Sequence, residues 1–497
     1  RRPNYGVKAL KTGHRAIFAC SAWSYFNMKE RILLFTIVFG LGIFIYIFQS
    51  YFNTVWGLAL LCTFMFIYAM FMNLSYKLKK RKLQKFPQVI NENYKPFVTV
   101  MIPAHNEESV ISNTVLNILN MTYENFEIIV IDDRSTDNTA SVIKDLEQKY
   151  EKVSALIRPM DAFPGKSAVL NDAFKIAKGE AILVFDADAT VEPDFLNILV
   201  PYLEPKDVGA VQARKVIRNK NINLLTRCQN NEYTMDTHFQ VGRDSIKGAV
   251  ELRGNGELIK RQAIEDIGGW NNYTLVDDLD MSTRLHIKGW DIRFCPDAIV
   301  YEEGIIYLRP LFRQRRRWLE GTIRRYLEYA GDVLFSKDMS LRASLDMTAY
   351  ITQFIMPGWF VMEILIRGFK VLAKQAPPHM LYSSIFIGCA IGFGFFFAAR
   401  YALRRYDYMP RLDATFEALE TSVYLFIIWF PLVLYICFKI LFMKKDMNWG
   451  KTAHGLVMEE EASIKAIIKK ELQKTKEYTK EYTVKYREKL KQMLAEK

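Results

Sequence analysis

Thiol and imidazole ligands are sparse in this 497-residue chain. Its six cysteines (Cys20, Cys62, Cys228, Cys295, Cys389 and Cys437) form no C-x-x-C pair, and no histidine sits at metal-ligand spacing. Those absences exclude a disulfide framework and a structural zinc site. No cleavable signal pattern opens the chain, which begins at Arg1, so a few residues are expected to precede it. Missing too is the even scatter of apolar positions that amphipathic packing produces. Half of the residues are hydrophobic, and they gather into long uninterrupted runs at the two ends, as in a membrane protein. The formal charge of +13 first suggests nucleic acid. Its basic residues, however, cluster beside the apolar runs, as in Lys77, Lys79, Lys80, Arg81 and Lys82, which reads as topology determination and leaves nucleic acid out.

Residues 32 to 49 and 55 to 74 are each long enough to cross a hydrocarbon core of about 30 Å as a helix, and a short turn joins them into a hairpin. Basic residues before the first run (Lys8, Lys11, Arg15, Lys29, Arg31) and after the second predict that both flanks are cytoplasmic. Short β-rich runs then alternate with amphipathic stretches. Strands are expected at 97 to 103, 126 to 132, 153 to 157, 180 to 186 and 208 to 213, in an α/β domain with a mostly parallel sheet. In such a sheet ligands sit beyond the carboxyl ends of the strands. Apolar runs return at 346 to 371, 383 to 400 and 421 to 443, and a charged tail from 459 to 495 has the spacing of an amphipathic helix. Three crossings after a cytoplasmic domain leave that Lys-rich tail outside, against the positive-inside tendency. Pro357 and Gly358 mark the first of these runs as the one expected to break into a re-entrant or interfacial helix.

Polar clusters follow three of the strands. Glu107 lies in PAHNE, Asp133 in DDRS, and Asp186 and Asp188 form a D-x-D. Two carboxylates at that spacing suit Mg²⁺ or Mn²⁺, which take few protein ligands and complete their shell with water and phosphate oxygens. An isolated D-x-D equally suits two loop acids that face water. Asp133 is placed to accept from a base N–H, Asp137 or Asn138 to cap the next helix, and Lys166 to meet phosphate. Asp277, Asp278 and Asp280 crowd one another. At least one has a raised pKa unless a cation or arginine relieves the repulsion, and a general base needs such tuning. QRRRW (314 to 318) reads either as a basic juxtamembrane stretch or as an acceptor site, with Trp318 stacking on a sugar ring beside Gln314 and an arginine.

In order and spacing these motifs resemble the processive family 2 glycosyltransferases, the group of hyaluronan, cellulose, chitin and poly-N-acetylglucosamine synthases. The resemblance runs from roughly residue 30 to 455. It implies a GT-A-like cytosolic domain (90–330) between an N-terminal segment (1–30) with a transmembrane hairpin (31–75) and C-terminal transmembrane helices (340–445). A gating-loop-like segment (446–456) with Trp449 and Thr452, and the tail (457–497), complete the chain. The resemblance further implies an inverting UDP-sugar hexosyltransferase in the plasma or inner membrane. Asp278 is its catalytic base, Glu107, Asp133, Lys166 and Asp186 hold the nucleotide, and Asp186 with Asp188 binds Mg²⁺ or Mn²⁺. Gln314, Arg317 and Trp318 line the acceptor path, and a small accessory membrane subunit is an optional partner. Val276, Asp277 and Asp278 stand where the family has T-E-D, which keeps the base and leaves the sugar open. The preferred product is a poly-N-acetylglucosamine or hyaluronan-like polymer built on a polysaccharide acceptor. The tail is too short for the regulatory domain that bacterial cellulose synthases carry, which counts against a β-glucan. A non-processive transferase acting on a lipid-linked acceptor is the other alternative.

Overall fold

The computed structural model describes residues 14–52, 56–85, 91 and 93–443. Trp449, Thr452 and the 459-to-495 tail therefore lie outside the described residues.

Eight strands build one sheet: β1 (Val98–Ala104), β2 (Phe126–Asp132), β3 (Val153–Ile157), β4 (Ala181–Val184), β5 (Thr190–Val191), β6 (Val208–Ile217), β7 (Glu257–Lys260) and β8 (Asp291–Glu302). Their order is β3-β2-β1-β4-β7-β6-β8-β5. β1 is the switch point, where the order turns from β2 and β3 on one side to β4 on the other. The parallel strands are apolar on both faces, as burial under helices requires. Val98, Val100, Ile102, Ile128, Val130 and Leu183 enter one core. Met101, Ile129, Ile131, Ile182 and Val184 enter the other, with the period of two of a pleated strand.

The five strands expected from the sequence are all present, and β6 continues past 213 to Ile217. Three strands are additional. β5 and β7 are too short to carry a pattern. β8 is disguised by Pro296, since its register against β6 jumps from Cys295 to Ile299 and leaves 296 to 298 bulged out. The sheet is also less uniform than expected, because β7 runs antiparallel to both β4 and β6.

Among the described residues thirteen α-helices accompany the sheet. α1 (His14–Phe52) and α2 (Trp56–Lys85) precede it; α3 (Ile111–Leu119), α4 (Thr139–Lys149), α5 (Lys166–Phe174), α6 (Phe195–Leu199), α7 (Leu224–Ser245), α8 (Arg261–Ile267) and α9 (Asp277–Ile287) alternate with strands. α10 (Leu308–Phe335), α11 (Leu341–Leu372), α12 (Pro378–Tyr406) and α13 (Arg411–Phe442) follow. Among the described residues five segments are long and apolar enough to cross a membrane: Met28–Tyr51, Ala59–Lys82, Leu341–Leu372, Pro378–Tyr406 and Arg411–Phe442.

Two findings change the reading of the C-terminal helices. α11 passes through Pro357 without a break. The ring is buried, and α1, α2, α12 and α13 pack around the helix, so neighbouring helices hold the geometry that the lost N–H would otherwise weaken. The unusual helix is α13. Near its start Glu420 pairs with Arg227 of α7 at 3.0 Å, and near its end Lys439 pairs with Glu320 of α10 at 2.6 Å. Arg31, at the beginning of the first apolar segment, donates to the carbonyl of Met443. Both ends of α13 thus meet the side of the bundle that carries the sheet domain.

Candidate active site

The carboxyl ends of β1, β2 and β4 open on one side of the sheet. After β1 and β2 the chain turns through left-handed backbone at Asn106 (φ 56°) and Arg134 (φ 60°). Asp133 is 1% exposed. Arg134 Nε and Arg158 Nη1 donate to its Oδ1 at 2.9 and 2.6 Å, Arg134 Nη2 to its Oδ2 at 3.2 Å, and Gly165 N to Oδ2 at 3.4 Å. A carboxylate offers about four acceptor positions, so Asp133 organises two arginines and the loop before Lys166. Asp137 accepts from Thr139 N at 3.0 Å and starts α4, while Asn138 makes no capping bond. The backbone of Glu107 forms the turn into α3, accepting from Val110 N and Ile111 N at 3.1 and 3.0 Å.

Lys166 reaches across from α5 to Asp186 Oδ1 at 2.6 Å and to the Gly254 carbonyl at 2.7 Å. Burial works against its charge, but Asp186, Asp277 and Glu257 outweigh burial and raise its pKa. Gly254 has φ +76°, and a Cβ there would lie 3.2 Å from Asp278 Oδ2 and 3.8 Å from Lys166 Nζ. Asp278, Lys166 and Asp186 therefore share one floor. Asp278 stands in the first turn of α9 and accepts from Leu279 N at 2.8 Å. Burial, then Asp277, push its carboxyl up to about 6 against the lowering influence of Lys166 and Arg253. Asp280 is a structural acid. Arg284 binds it at 2.7 Å, and Tyr329 OH and Asn271 Nδ2 donate to it at 2.8 and 3.1 Å. Behind the floor lies Glu257, whose carboxyl is raised well above its ordinary range by burial and by Asp278.

The QRRRW stretch lies on α10. Arg315 is fully buried, donates to Glu232 of α7 at 2.8 Å and to Gln314 Oε1 at 2.6 Å, and lies 4.3 Å from the Trp318 ring centre. Lys215 of β6 lies 5.7 Å from the same ring and pairs with Glu302 at 2.8 Å. Trp318 is thus flanked by two cations, each with its own carboxylate. Gln314 and Trp318 meet in this cluster, whereas Arg317, on another face of the helix, makes no hydrogen bond or ion pair among the described residues. Sequence reasoning missed Arg315, Lys215, Glu232, Glu302 and Glu257. For Arg315 a signal existed: it continues the four-residue row of Leu311, Leu319 and Ile323, all buried.

A model described as glycosyltransferase-like family 2 matches residues 96–321. A beta-monoglucosyldiacylglycerol synthase of Synechocystis sp. is 33% identical over 382 residues, which cover 74% of this chain and 77% of the relative. The chain belongs to the family 2 glycosyltransferases. A protein of the same description from Nostoc sp. is 40% identical over 288 residues, or 57% of this glycosyltransferase, which spans 60% of that relative's length. Among solved structures, the mannosyltransferase PcManGT from Pyrobaculum calidifontis, in complex with GDP-Man and Mn²⁺, superposes with a TM-score of 0.54. It is 20% identical and covers 78% of this chain and 99% of its own. The family 2 domain thus has a GT-A-like fold, as the sequence implied.

The residues at the D-x-D fit a divalent cation of the hard, oxygen-seeking kind. Among the described residues no three His, Cys, Asp or Glu side chains come close enough to hold a metal unaided. A two-carboxylate site of this kind takes the rest of its shell from water and a diphosphate, as Mg²⁺ and Mn²⁺ do. The side chain of Asp186 is 41% exposed toward such a ligand, while Asp188 is held from behind by the Glu303 N–H at 3.1 Å.

Proposed function

We propose that the chain is an inverting UDP-sugar hexosyltransferase that glycosylates the hydroxyl of a membrane lipid at the cytoplasmic face of a bilayer. The observation that carries this reading is the position of the acceptor side. Trp318 and Arg315 are bound through Glu232 to Tyr424 and Trp429 of α13, an apolar helix, at 3.2 and 3.0 Å. An acceptor that reaches Trp318 comes from the membrane side. The diacylglycerol-glycosylating relatives support the same choice, with UDP-glucose as the first donor to offer. The polymer reading, preferred from the motifs alone, gives way because a relative named for a single-sugar lipid product matches 74% of this chain, against 48% for a poly-beta-1,6-N-acetyl-D-glucosamine synthase.

The chemistry needs one proton acceptor and a stabilised leaving group. Asp278 takes the proton of the lipid hydroxyl, whose oxygen attacks the anomeric carbon of a UDP-α-sugar from the opposite face. The carbon–oxygen bond to UDP breaks and a β-glycoside forms. Lys166 stays protonated beside the leaving diphosphate, and Asp133 keeps Arg134 and Arg158 in place around the nucleotide pocket. A divalent cation on Asp186 and Asp188, when bound, neutralises diphosphate charge. Only ionised Asp278 accepts the proton, so the rate falls about tenfold per pH unit below a limb near pH 6 and is flat above it; an initial-rate profile checks this. Purified protein in vesicles with diacylglycerol and UDP-glucose should yield a one-hexose glycolipid, identified by mass. A polymer, or UDP release with no lipid product, would overturn the assignment.

For topology the reading is four crossings, with α1, α2, α11 and α12 spanning and α13 lying along the cytoplasmic face. Contacts of α13 with α7 and α10 at both ends support it, and the odd helix count disappears. A reporter fused after the last residue should then be active only in its cytoplasmic form, green fluorescence without periplasmic phosphatase. The reverse pair of signals would make α13 a fifth crossing.

A further inference from the structure

α7 enters the interface between the sheet domain and the apolar helices as a polar helix, opened by a reciprocal cap in which Thr226 N donates to Asn223 Oδ1 and Asn223 N to Thr226 Oγ1 at 3.0 and 3.1 Å. Two neighbours on it serve the two cations beside Trp318. Tyr233 OH donates to Glu302, the partner of Lys215, and Lys215 lies 4.8 Å from the Tyr233 ring. Glu232 takes three donors from two other helices. Arg315 Nη2 and Tyr424 OH meet its Oε2 at 2.8 and 3.2 Å, and Trp429 Nε1 meets its Oε1 at 3.0 Å. Among the described residues its charged partner is Arg315, which is 0% exposed and whose planar group covers Trp318.

We infer that Glu232 is a positioning residue for the acceptor. It fixes the plane of Arg315, and through it the ring of Trp318, and it locks that ring to α13 so that the entrance from the membrane and the sugar-binding surface keep one geometry. Among the described residues the partners of Glu232 are Arg315, Tyr424 and Trp429, and neither Asp278 nor Lys166 of the donor floor is one of them, so the effect of losing it is expected on the acceptor. A buried arginine that loses its carboxylate must find other partners or move, and either outcome displaces the ring it covers.

The inference rests on the reading of this side of the site as the acceptor side. Its test compares Glu232→Gln and Glu232→Ala with wild type in vesicles, varying acceptor and UDP-sugar separately. The acceptor KM should rise roughly tenfold for the glutamine variant, which keeps an acceptor for Trp429 and loses the charge, and further for alanine. The KM for UDP-sugar and the slow hydrolysis of UDP-sugar without lipid should stay at wild-type values. Equal losses on donor and acceptor would reveal a general structural role and overturn the inference, as would an unchanged acceptor KM. If wild type rejects diacylglycerol, the functional reading fails at that point. The same ratio is then read on whichever acceptor of a lipid and oligosaccharide panel it uses.

Discussion

Asp278→Asn is expected to lower hexose transfer by roughly 10²- to 10⁴-fold, the range that a positioned general base contributes, and to leave UDP binding unchanged. Asparagine fills the same volume above Gly254 and still accepts from Leu279 N, so the floor around Lys166 keeps its shape. It cannot take a proton. Removing the charge also relieves the repulsion with Asp277, whose Oδ2 is buried without a hydrogen-bond partner among the described residues, so folding should not suffer. Asp277→Asn is the informative companion. Asp277 raises the Asp278 carboxyl, so its loss should move the acidic limb of the rate profile below 6 while activity at neutral pH is largely kept. Transfer counted with radiolabelled UDP-sugar, set beside UDP affinity from calorimetry, separates the two carboxylates. An Asp278→Asn protein with wild-type turnover would remove it from the mechanism.

Why the sequence could place Asp278 and not Glu232 follows from where each kind of residue sits. Asp133, Asp186 and Asp278 stand at ends of strands or in the first turn of a helix, where a break in an apolar pattern is visible and the topology itself gathers them at one edge. Glu232 and Lys215 stand inside regular elements beside other polar residues, and Glu302 ends β8 next to Glu303, so none of them stands out locally. Their meaning comes from partners 83 to 87 positions away in the chain: Glu232 with Arg315, and Lys215 with Glu302. No local pattern carries that. β8 was hidden by Pro296 for a related reason, since only the register against β6 shows that the proline is bulged out of the ladder. The C-terminal helices illustrate the opposite error. Pro357 is a strong local signal for a break, but packing of neighbouring helices overrides it, and α13, the most apolar of the three helices, is the one that Glu420 ties to α7 and Lys439 to α10. Apolarity reports that a helix avoids water; it does not report the direction in which the helix lies.

Asp346→Leu should destabilise the folded protein by about 3–5 kcal/mol, the cost of leaving one member of a buried ion pair without its partner. Asp346 belongs to α11, is 3% exposed, and joins three parts of the molecule. Its Oδ2 accepts from Arg243 Nε of α7 at 2.7 Å and from Ala249 N at 2.8 Å, and its Oδ1 from Tyr68 OH of α2. The surroundings leave no slack, for a Cβ on Gly248 would come within 2.7 Å of the Asp346 carboxyl carbon. Arg243 is 1% exposed, with Glu251 as its other carboxylate at 3.3 Å. That glutamate is shared with Arg325 and Arg253, both at 2.9 Å, and these arginines hold its carboxyl well below its usual range although burial alone would raise it. Losing Asp346 therefore leaves Arg243 to share Glu251 with Arg325 and Arg253, of which Arg253 also has Asp236 at 2.8 Å. Adding Arg243→Leu should recover part of the loss, because replacing a whole buried pair by apolar side chains is often close to neutral and Glu251 keeps two arginines. Thermal unfolding in detergent of the two single variants and the double one measures the coupling. Strictly additive losses would show that Asp346 and Arg243 act independently, and that the joint between the apolar helices and the sheet domain lies elsewhere, at Glu320 and its partners Lys439, Arg324 and Glu30.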